Sequence, residues 1–361
     1  MRLLLLSALL TLLSAPVQAQ GLGQGTADAP IAEWPTADAD SMGLSSKALQ
    51  AHLDRCKRSG SFGCLVAYKG HVVQEWYRIE HRNPFVGTRS AVKSWTGLLA
   101  GMLIADGAID SVGVPVAKYI PEWTAGARAG VTLRHLLTMT AGLSDRTGSR
   151  VTVPRPDSAT AAALPRGPGV VAAKNRTEYV LDLELDFEPG ERFSYSNEGV
   201  QLLSPLLERA AGLPLSRYAR ERLFAPLGMD RTSLHVDAYY NTVTFGGAET
   251  TLTEFARIGQ LMLNDGRWNG TQIVPASWVE RSTTPTETMP SYGFLWWIDT
   301  KRKNFAATGS LDNVCIVFPD LDLVVARMQR NPRPDTAVRY QGVKTLEVLR
   351  QVVEGPSADA Q

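Results

Sequence analysis

Ser90-Ala91-Val92-Lys93 is the first place along the chain where residue types and spacing could do chemistry. If the segment opens a helix, a three-residue separation puts the serine hydroxyl and the lysine amine on one face, one turn apart, where they can share a proton. The stretch behind them is apolar nearly all round through Val92, Trp95, Leu98, Leu99, Met102 and Leu103, so the helix is expected to be buried. Burial moves a lysine pKa towards neutrality, and a neutral amine beside a serine is a base. The positive end of the helix also favours negative charge on the serine oxygen and offers backbone amides to an oxyanion. The same residues also read as a capping serine followed by a solvated lysine. About one chance S-x-x-K match is expected in a chain of this length. Lys93 is the only lysine here with a serine three positions before it.

Tyr195-Ser196-Asn197 adds a second set of groups. A tyrosine hydroxyl near a lysine can pass a proton to and from a serine or a leaving group, and an asparagine can donate to substrate or hold the lysine. A second Tyr-x-Asn at Tyr239 to Asn241 means that the pattern alone does not choose between them. His135 invites a Ser-His-Asp arrangement, but it lies in a helical segment and no G-x-S-x-G elbow exists, so it is expected to be structural. Trp296 and Trp297 could line an acyl pocket, yet adjacent strand residues face opposite sides, so at least one should be core. With no H-E-x-x-H, P-loop or dinucleotide fingerprint, neither a cofactor nor a metal site is expected.

The elements that must position these residues can be placed from pattern. Ser45 or Ser46 caps a helix carrying Leu49, Ala51 and Leu53. Leu65 to Tyr68 and Val72 to Tyr77 form a hairpin through Lys69-Gly70-His71. Helical signal dominates from Ser90 to about Leu234, in Ser90 to Ala105, Leu133 to Met139, Val200 to Ala211 and Leu215 to Phe224. Strand signal returns in Tyr292 to Ile298, Phe305 to Ala307, Val314 to Phe318 and Leu323 to Met328, and a closing helix follows from about Val338 to Val353. This order predicts an α+β fold. An antiparallel sheet built from residues 41–88 and 240–355 is flanked by N- and C-terminal helices, and a helical domain, residues 89–239, is inserted into it. Ligand pockets favour such junctions. Arg150 to Val171, rich in Ala, Pro and Gly, reads as a surface excursion.

The 361-residue chain is 44% hydrophobic with a formal net charge of +1, which provides no electrostatic reason to expect nucleic acid or an anionic membrane as partner. A small substrate is expected instead. Arg2, the apolar run Leu3 to Leu13 and the small residues Val17-Gln18-Ala19 predict a cleavable signal peptide over residues 1–19, followed by a polar linker over 20–40. The run is short of the ~20 apolar residues a spanning helix needs. The expected location is therefore periplasmic or secreted, with no membrane span after cleavage, and residues 356–361 form a tail. Cys56 and Cys64 flank a short loop that a structural disulfide could close, and Cys315 reads as a small buried hydrophobe.

Taken together, the chain resembles the β-lactamase-related serine hydrolases, a group that includes class C β-lactamases, D,D-peptidases, esterases and 6-aminohexanoate-oligomer hydrolases. Besides Ser90 to Lys93, the matching stretches are Thr132 to Leu143, Phe193-Ser194-Tyr195-Ser196-Asn197, Pro226-Leu227-Gly228-Met229 and Tyr292-Gly293-Phe294-Leu295-Trp296-Trp297. The resemblance implies a β-lactamase/transpeptidase-like fold and selects Tyr195 over Tyr239, because the family's tyrosine precedes a helix and lies well before Pro-Leu-Gly-Met. It also implies that the oxyanion is held by the backbone amides of Ser90 and Ser310. Where the family usually has Lys or His, then Ser or Thr, then Gly, this sequence has Ala307-Thr308-Gly309. The missing cation normally helps to hold a substrate carboxylate, and a charge-assisted hydrogen bond of ~1.5–3 kcal/mol is one to two powers of ten in binding. Lys301-Arg302-Lys303 could replace it, though a charge run at a strand turn is more often solvated.

These readings converge on acyl transfer to an ester, amide or peptide: Ser90 attacks the carbonyl, Lys93 and Tyr195 take and return the proton, Asn197 orients substrate or Lys93, and Thr308 provides a weaker substrate contact. The segment from Phe305 to Val325 is more similar to the ester- and amide-cleaving branch. Two rivals are a D,D-peptidase or β-lactamase, which needs a cation from elsewhere, and a binding or sensing protein that keeps the fold without turnover.

Overall fold

The computed structural model describes residues 34–78, 85–144, 146, 169–330, 340 and 343–355. The expected signal peptide, the tail, most of the linker and most of the Arg150 to Val171 excursion lie outside these residues. The described residues, all from Trp34 onward, form one compact unit.

Its centre is a six-stranded sheet, antiparallel throughout, whose strands lie side by side in the order His71–Tyr77, Gly63–Tyr68, Leu323–Met328, Asn313–Phe318, Asn304–Gly309 and Trp297–Asp299. Strands β1 (Gly63–Tyr68) and β2 (His71–Tyr77) form the expected hairpin. Lys69 and Gly70, at φ 46° and 77°, supply the two left-handed residues that match a tight turn to strand twist. Between this hairpin and the C-terminal strands come β3 (Val86–Gly87), β4 (Ser233–Leu234) and β5 (Ala248–Thr250), which form a small separate sheet. A short ribbon, β6 (Arg267–Trp268) and β7 (Thr271–Gln272), follows. The main sheet is completed by β8 (Trp297–Asp299), β9 (Asn304–Gly309), β10 (Asn313–Phe318) and β11 (Leu323–Met328). Pairing of β1 with β11, Val66 opposite Val325, ties the two ends of the chain into one sheet.

Both faces of this sheet are covered, which is why β1, β10 and β11 are buried at every residue and read in the sequence as largely apolar runs, broken by Asn313 and Arg327. On one face, Val66, Ile316 and Val325 pack with Ala48 and Leu49 of helix α1 (Ser46–Arg58) and with Leu349 and Val352 of the C-terminal helix, Val343–Glu354. Ser45 caps α1 by accepting from the Ala48 amide, and Arg55, Lys57 and Arg58 oppose its negative end. On the other face, Leu65, Cys315, Val317 and Val324 pack against helix α2 (Val92–Ala105) and helix Leu252–Leu263. As expected, α2 is buried all round from Val92 to Leu103. Gly101 lets it approach Trp278, whose ring a Cβ there would overlap at 2.3 Å, and the Trp278 indole donates to the Gly97 carbonyl at 3.0 Å.

Several elements differ from the expected spans for local reasons. The helix expected over Val200 to Ala211 is two, Asn197–Gln201 and Leu203–Ala211, because a continuous helix needs an N–H from Pro205 to reach the Gln201 carbonyl. The helix expected to Met139 spans Leu133–Leu137, and Met139 is left-handed at φ 59°. The strand expected from Tyr292 begins only at Trp297. Gly293 is pressed against the Ser282 carbonyl, Leu295 is left-handed at φ 63°, and the Leu295 amide donates to Leu137 O at 3.0 Å. The chain there is a tight turn docked on the helices, not a strand. At the N-terminal side, Trp34 is buried with its indole on Gly70 O at 2.8 Å, and Val72 exchanges backbone bonds with Pro35 and Ala37.

Candidate active site

Ser90 sits in a single 3-10 turn, Arg89–Ala91, immediately before α2. The expected helix thus starts two residues later than Ser90, yet the pairing survives, since residues three apart eclipse in a 3-10 turn. The turn is anchored from behind: the Thr88 amide donates to Ala248 O of β5 at 2.9 Å, and Arg89 adopts φ 56°. Lys93 is only 2% exposed, and its Nζ donates to Ser90 Oγ at 2.9 Å and to Phe245 O at 2.5 Å. A buried amine held between a hydroxyl and a carbonyl is not the solvated lysine that a merely capping serine would precede.

Tyr195 lies in the loop just before the helix Asn197–Gln201, whose cap is Ser196 Oγ accepting from Gly199 N at 3.0 Å. Its ring centroid is 5.0 Å from Lys93 Nζ. On its other side the ring stacks with Trp297 at 6.1 Å and 23°, and Tyr292 meets Trp297 edge-on at 4.9 Å. Burial first, and then the Tyr195 charge, push the Tyr292 hydroxyl well above its ordinary pKa, so Tyr292 stays protonated and packs as a wall. Trp296 is core and Trp297 half-buried at the site, a division of the pair that strand alternation anticipates. Asn197 is buried in the first turn of its helix, two residues from Tyr195. Tyr239, by contrast, is 60% exposed, and Asn241 is spent on Asp237 and Asn175.

The third side of the site is the end of β9. A Cβ on Gly309 would come within 2.4 Å of Thr88 O and 3.1 Å of Ser90 N, so the strand backbone rests directly on the serine turn. Ser310 follows, exposed, at the head of a tight turn in which Leu311 and Asp312 are left-handed at φ 66° and 58°. β8 pairs with β9 only as far as Ala306, which leaves Ala307, half-buried Thr308 and Gly309 without a strand on that side among the described residues. Ala307 is fully buried opposite Cys315 and brings no charge. Arg302 pairs with Asp299 at 2.8 Å and Lys303 with Asp320 at 3.9 Å, and with Lys301 they occupy the β8–β9 turn, at the other end of β9 from Gly309.

His135 is structural: with Thr132 it forms a reciprocal cap, His135 N to Thr132 Oγ1 and Thr132 N to His135 Nδ1. Burial, then the Arg134 charge, lower its pKa. Cys56 and Cys64 form a disulfide. With His52 they are the group of ligating side chains near enough together, among the described residues, to hold an ion, but both sulfurs are bonded to each other and the set does not fit a metal. Burial pushes the Cys315 thiol up to about 12, as befits an inert core residue. Sequence reasoning missed the Phe245 carbonyl on Lys93, since a backbone acceptor leaves no mark in residue type. It also did not anticipate Tyr292, which is joined to the site by a turn read as a strand.

A buried helix fronted by a paired serine and lysine, behind an antiparallel sheet with helices on both faces, is a hydrolase architecture. The chain belongs to the beta-lactamase family, whose model matches residues 60–350. It is 28% identical over 294 residues to the 6-aminohexanoate-dimer hydrolase of Paenarthrobacter ureafaciens, covering 75% of this chain and 73% of that one. The fold is similar to a family VIII carboxylesterase structure at TM-score 0.66 and 15% identity, over 89% of this chain and 99% of that chain. A penicillin-binding protein homologue from Pyrococcus abyssi aligns at TM-score 0.62 and 18% identity, over 84% and 75% respectively. The expected family and α+β fold class are thereby shown, with amide- and ester-cleaving hydrolases among the relatives.

Proposed function

We propose that the protein is an exported serine hydrolase that cleaves an uncharged ester or amide through an acyl-enzyme on Ser90. The observation that carries this reading is the 2.9 Å hydrogen bond from the buried Lys93 Nζ to Ser90 Oγ. Ser90 Oγ attacks the carbonyl carbon while its proton passes to the Lys93–Tyr195 pair, which returns it to the departing alcohol or amine. Water then attacks the acyl carbon and gives its proton to the same pair, which passes it to Ser90 Oγ as the acyl–oxygen bond breaks, releasing the acid and the free serine. Which of the two groups holds the proton at each stage is a property of the coupled pair. The negative oxygen of each tetrahedral intermediate is held by the amides of Ser90 and Ser310, which the contact of Gly309 with the serine turn keeps together. Asn197 orients substrate or Lys93, and Thr308 contacts the substrate along the open edge of β9.

Buried, neutral Ala307 weighs against substrates that need a carboxylate anchor, and Arg302 and Lys303 are engaged in ion pairs of their own at the far end of β9. The amide- and ester-cleaving relatives support the same choice over a D,D-peptidase or β-lactamase. Export rests on Arg2, Leu3 to Leu13 and Val17 to Ala19, and a disulfide suits an oxidising compartment. No helix among the described residues is long and apolar enough to cross a membrane. The test is labelling with a fluorophosphonate followed by peptide mass mapping: one equivalent on Ser90 is expected, and a protein that resists labelling while fully folded is a binding protein, not a hydrolase.

A further inference from the structure

Arg327 has no place in the chemistry above, yet its environment is unusual. It is 1% exposed in β11, opposite Cys64 on β1 and Val314 on β10, on the face that carries α1. Burying a guanidinium is costly unless its donors are matched. Here they are: Nη1 donates to Leu311 O and, at 2.9 Å, to Asp312 O, Nη2 to Gln329 Oε1 and, at 3.1 Å, to Ser59 O, and Nε to Ser61 Oγ at 2.7 Å. Two of the acceptors are the carbonyls of consecutive left-handed residues, directly after Ser310. Non-glycine residues in that region cost about 1 kcal/mol or more each and persist only where the surroundings fix them. Two more, Ser59 and Ser61, belong to the loop closed by the Cys56–Cys64 disulfide. Asn313 completes the frame, its Nδ2 donating to Gly87 O, three residues before Ser90, at 2.9 Å and to Gln329 O at 3.2 Å.

We propose that Arg327 is a positioning residue of the oxyanion hole: it clamps the Leu311–Asp312 carbonyls so that the Ser310 amide points at the carbonyl oxygen above Ser90, and it braces that turn against the disulfide loop. The inference rests on the acyl-transfer reading of Ser90. The disulfide does no chemistry, but the loop it closes supplies the rigid side of the clamp. A planar fork with five donors can reach all these acceptors at once, and a lysine ammonium with three donors on one nitrogen cannot. Asp312 Oδ2, which accepts from the Tyr340 amide at 3.0 Å, lends a nearby negative charge to the same turn.

The test uses the full chain as wild type, Arg327→Lys, Ser61→Ala and Ser90→Ala, with kcat and KM for a short-chain p-nitrophenyl ester and inhibition by phenylboronic acid, whose tetrahedral adduct places an oxygen in the oxyanion site. Losing one oxyanion donor costs about 100- to 1000-fold in kcat, so a displaced donor in Arg327→Lys should cost about 10- to 100-fold. KM should stay within about threefold, and boronate affinity should fall in step with kcat, a split that loss of ground-state binding does not give. Ser61→Ala, which keeps the arginine, should cost about threefold or more in kcat with the same parallel loss of boronate affinity, and it decides the matter if Arg327→Lys does not fold. Folded variants with kcat and boronate affinity within about twofold of wild type, or with only KM raised, overturn the clamp while leaving Ser90 in place. Activity retained in Ser90→Ala overturns the acyl-transfer reading and this inference with it.

Discussion

Gly309→Ala isolates the contact between β9 and the Ser90 turn. Gly309 has φ −124° and ψ 163°, ordinary extended backbone, so an alanine there meets no conformational strain and its only effect is the added methyl. That methyl would sit 2.4 Å from Thr88 O, 2.9 Å from Arg89 Cβ and 3.1 Å from Ser90 N. Carbon and a carbonyl oxygen need about 3.3 Å, so the strand end must retreat by roughly 1 Å from the serine turn. Oxyanion donors act at 2.7–3.1 Å, and a misplacement of about 1 Å is worth about 100-fold in rate. The predicted result is a 100- to 1000-fold fall in kcat for a p-nitrophenyl ester, with overpacking lowering stability by only about 1–3 kcal/mol. Thermal denaturation and steady-state kinetics on the same sample separate the two effects. A folded Gly309→Ala protein with kcat within threefold of wild type would refute the view that this close approach holds the oxyanion donors.

Lys93→Met removes the amine on Ser90 but keeps the volume, and should lower kcat by about 100- to 10,000-fold; Tyr195→Phe should lower it by a comparable factor, measured with the same ester. His52 is fully buried, with Nδ1 against Gln74 Oε1 at 2.7 Å and Nε2 against the Tyr340 hydroxyl at 2.6 Å. Desolvation, only partly opposed by the Gln74 bond, lowers its pKa from 6.5 to about 4. The unfolded chain therefore takes up this proton near pH 6.5 and the folded protein only near pH 4, so the contribution is complete above 6.5 and about 3 kcal/mol of stability is lost as pH falls through that window. Urea unfolding at several pH values should show a slope in the wild type that is much reduced in His52→Gln, the remainder including the smaller contribution of His135, whose pKa is also lowered. Reducing the Cys56–Cys64 bond, of sequence separation 8, should lower stability by about 2–3 kcal/mol, read as a fall in Tm with dithiothreitol that Cys56→Ser/Cys64→Ser does not show.

Much of this site is visible in the sequence because the constraints on it are short-range. A serine and a lysine three apart ahead of an all-apolar helix fix their own proximity, and the strand runs at Val314 to Phe318 and Leu323 to Met328 appear almost unshifted as β10 and β11. Tertiary contacts account for what pattern could not show. Tyr292 to Trp296 has the aromatic, β-rich composition of a strand, but Gly293 under the Ser282 carbonyl and Leu295 bonded to Leu137 turn it into a wall beside Tyr195. The left-handed Leu311 carries no turn signature of the kind glycine gives at Gly70, although Asp312 beside it is of a type that tolerates this conformation. The group that meets both of their carbonyls, Arg327 of β11, lies sixteen and fifteen residues away in the chain. Likewise, Val200 to Ala211 keeps helical periodicity throughout, and only the missing N–H of Pro205 breaks it.

The central claim is that Ser90 forms an acyl-enzyme. Hydrolysis of a short-chain p-nitrophenyl ester by the wild-type protein and by Ser90→Ala, run side by side with intact-mass analysis of quenched samples, tests it most directly. Turnover with a transient acyl adduct on the wild type, and neither turnover nor adduct on the variant, is the predicted result. Equal activity in the two proteins would contradict the account, because the nucleophile would then lie elsewhere.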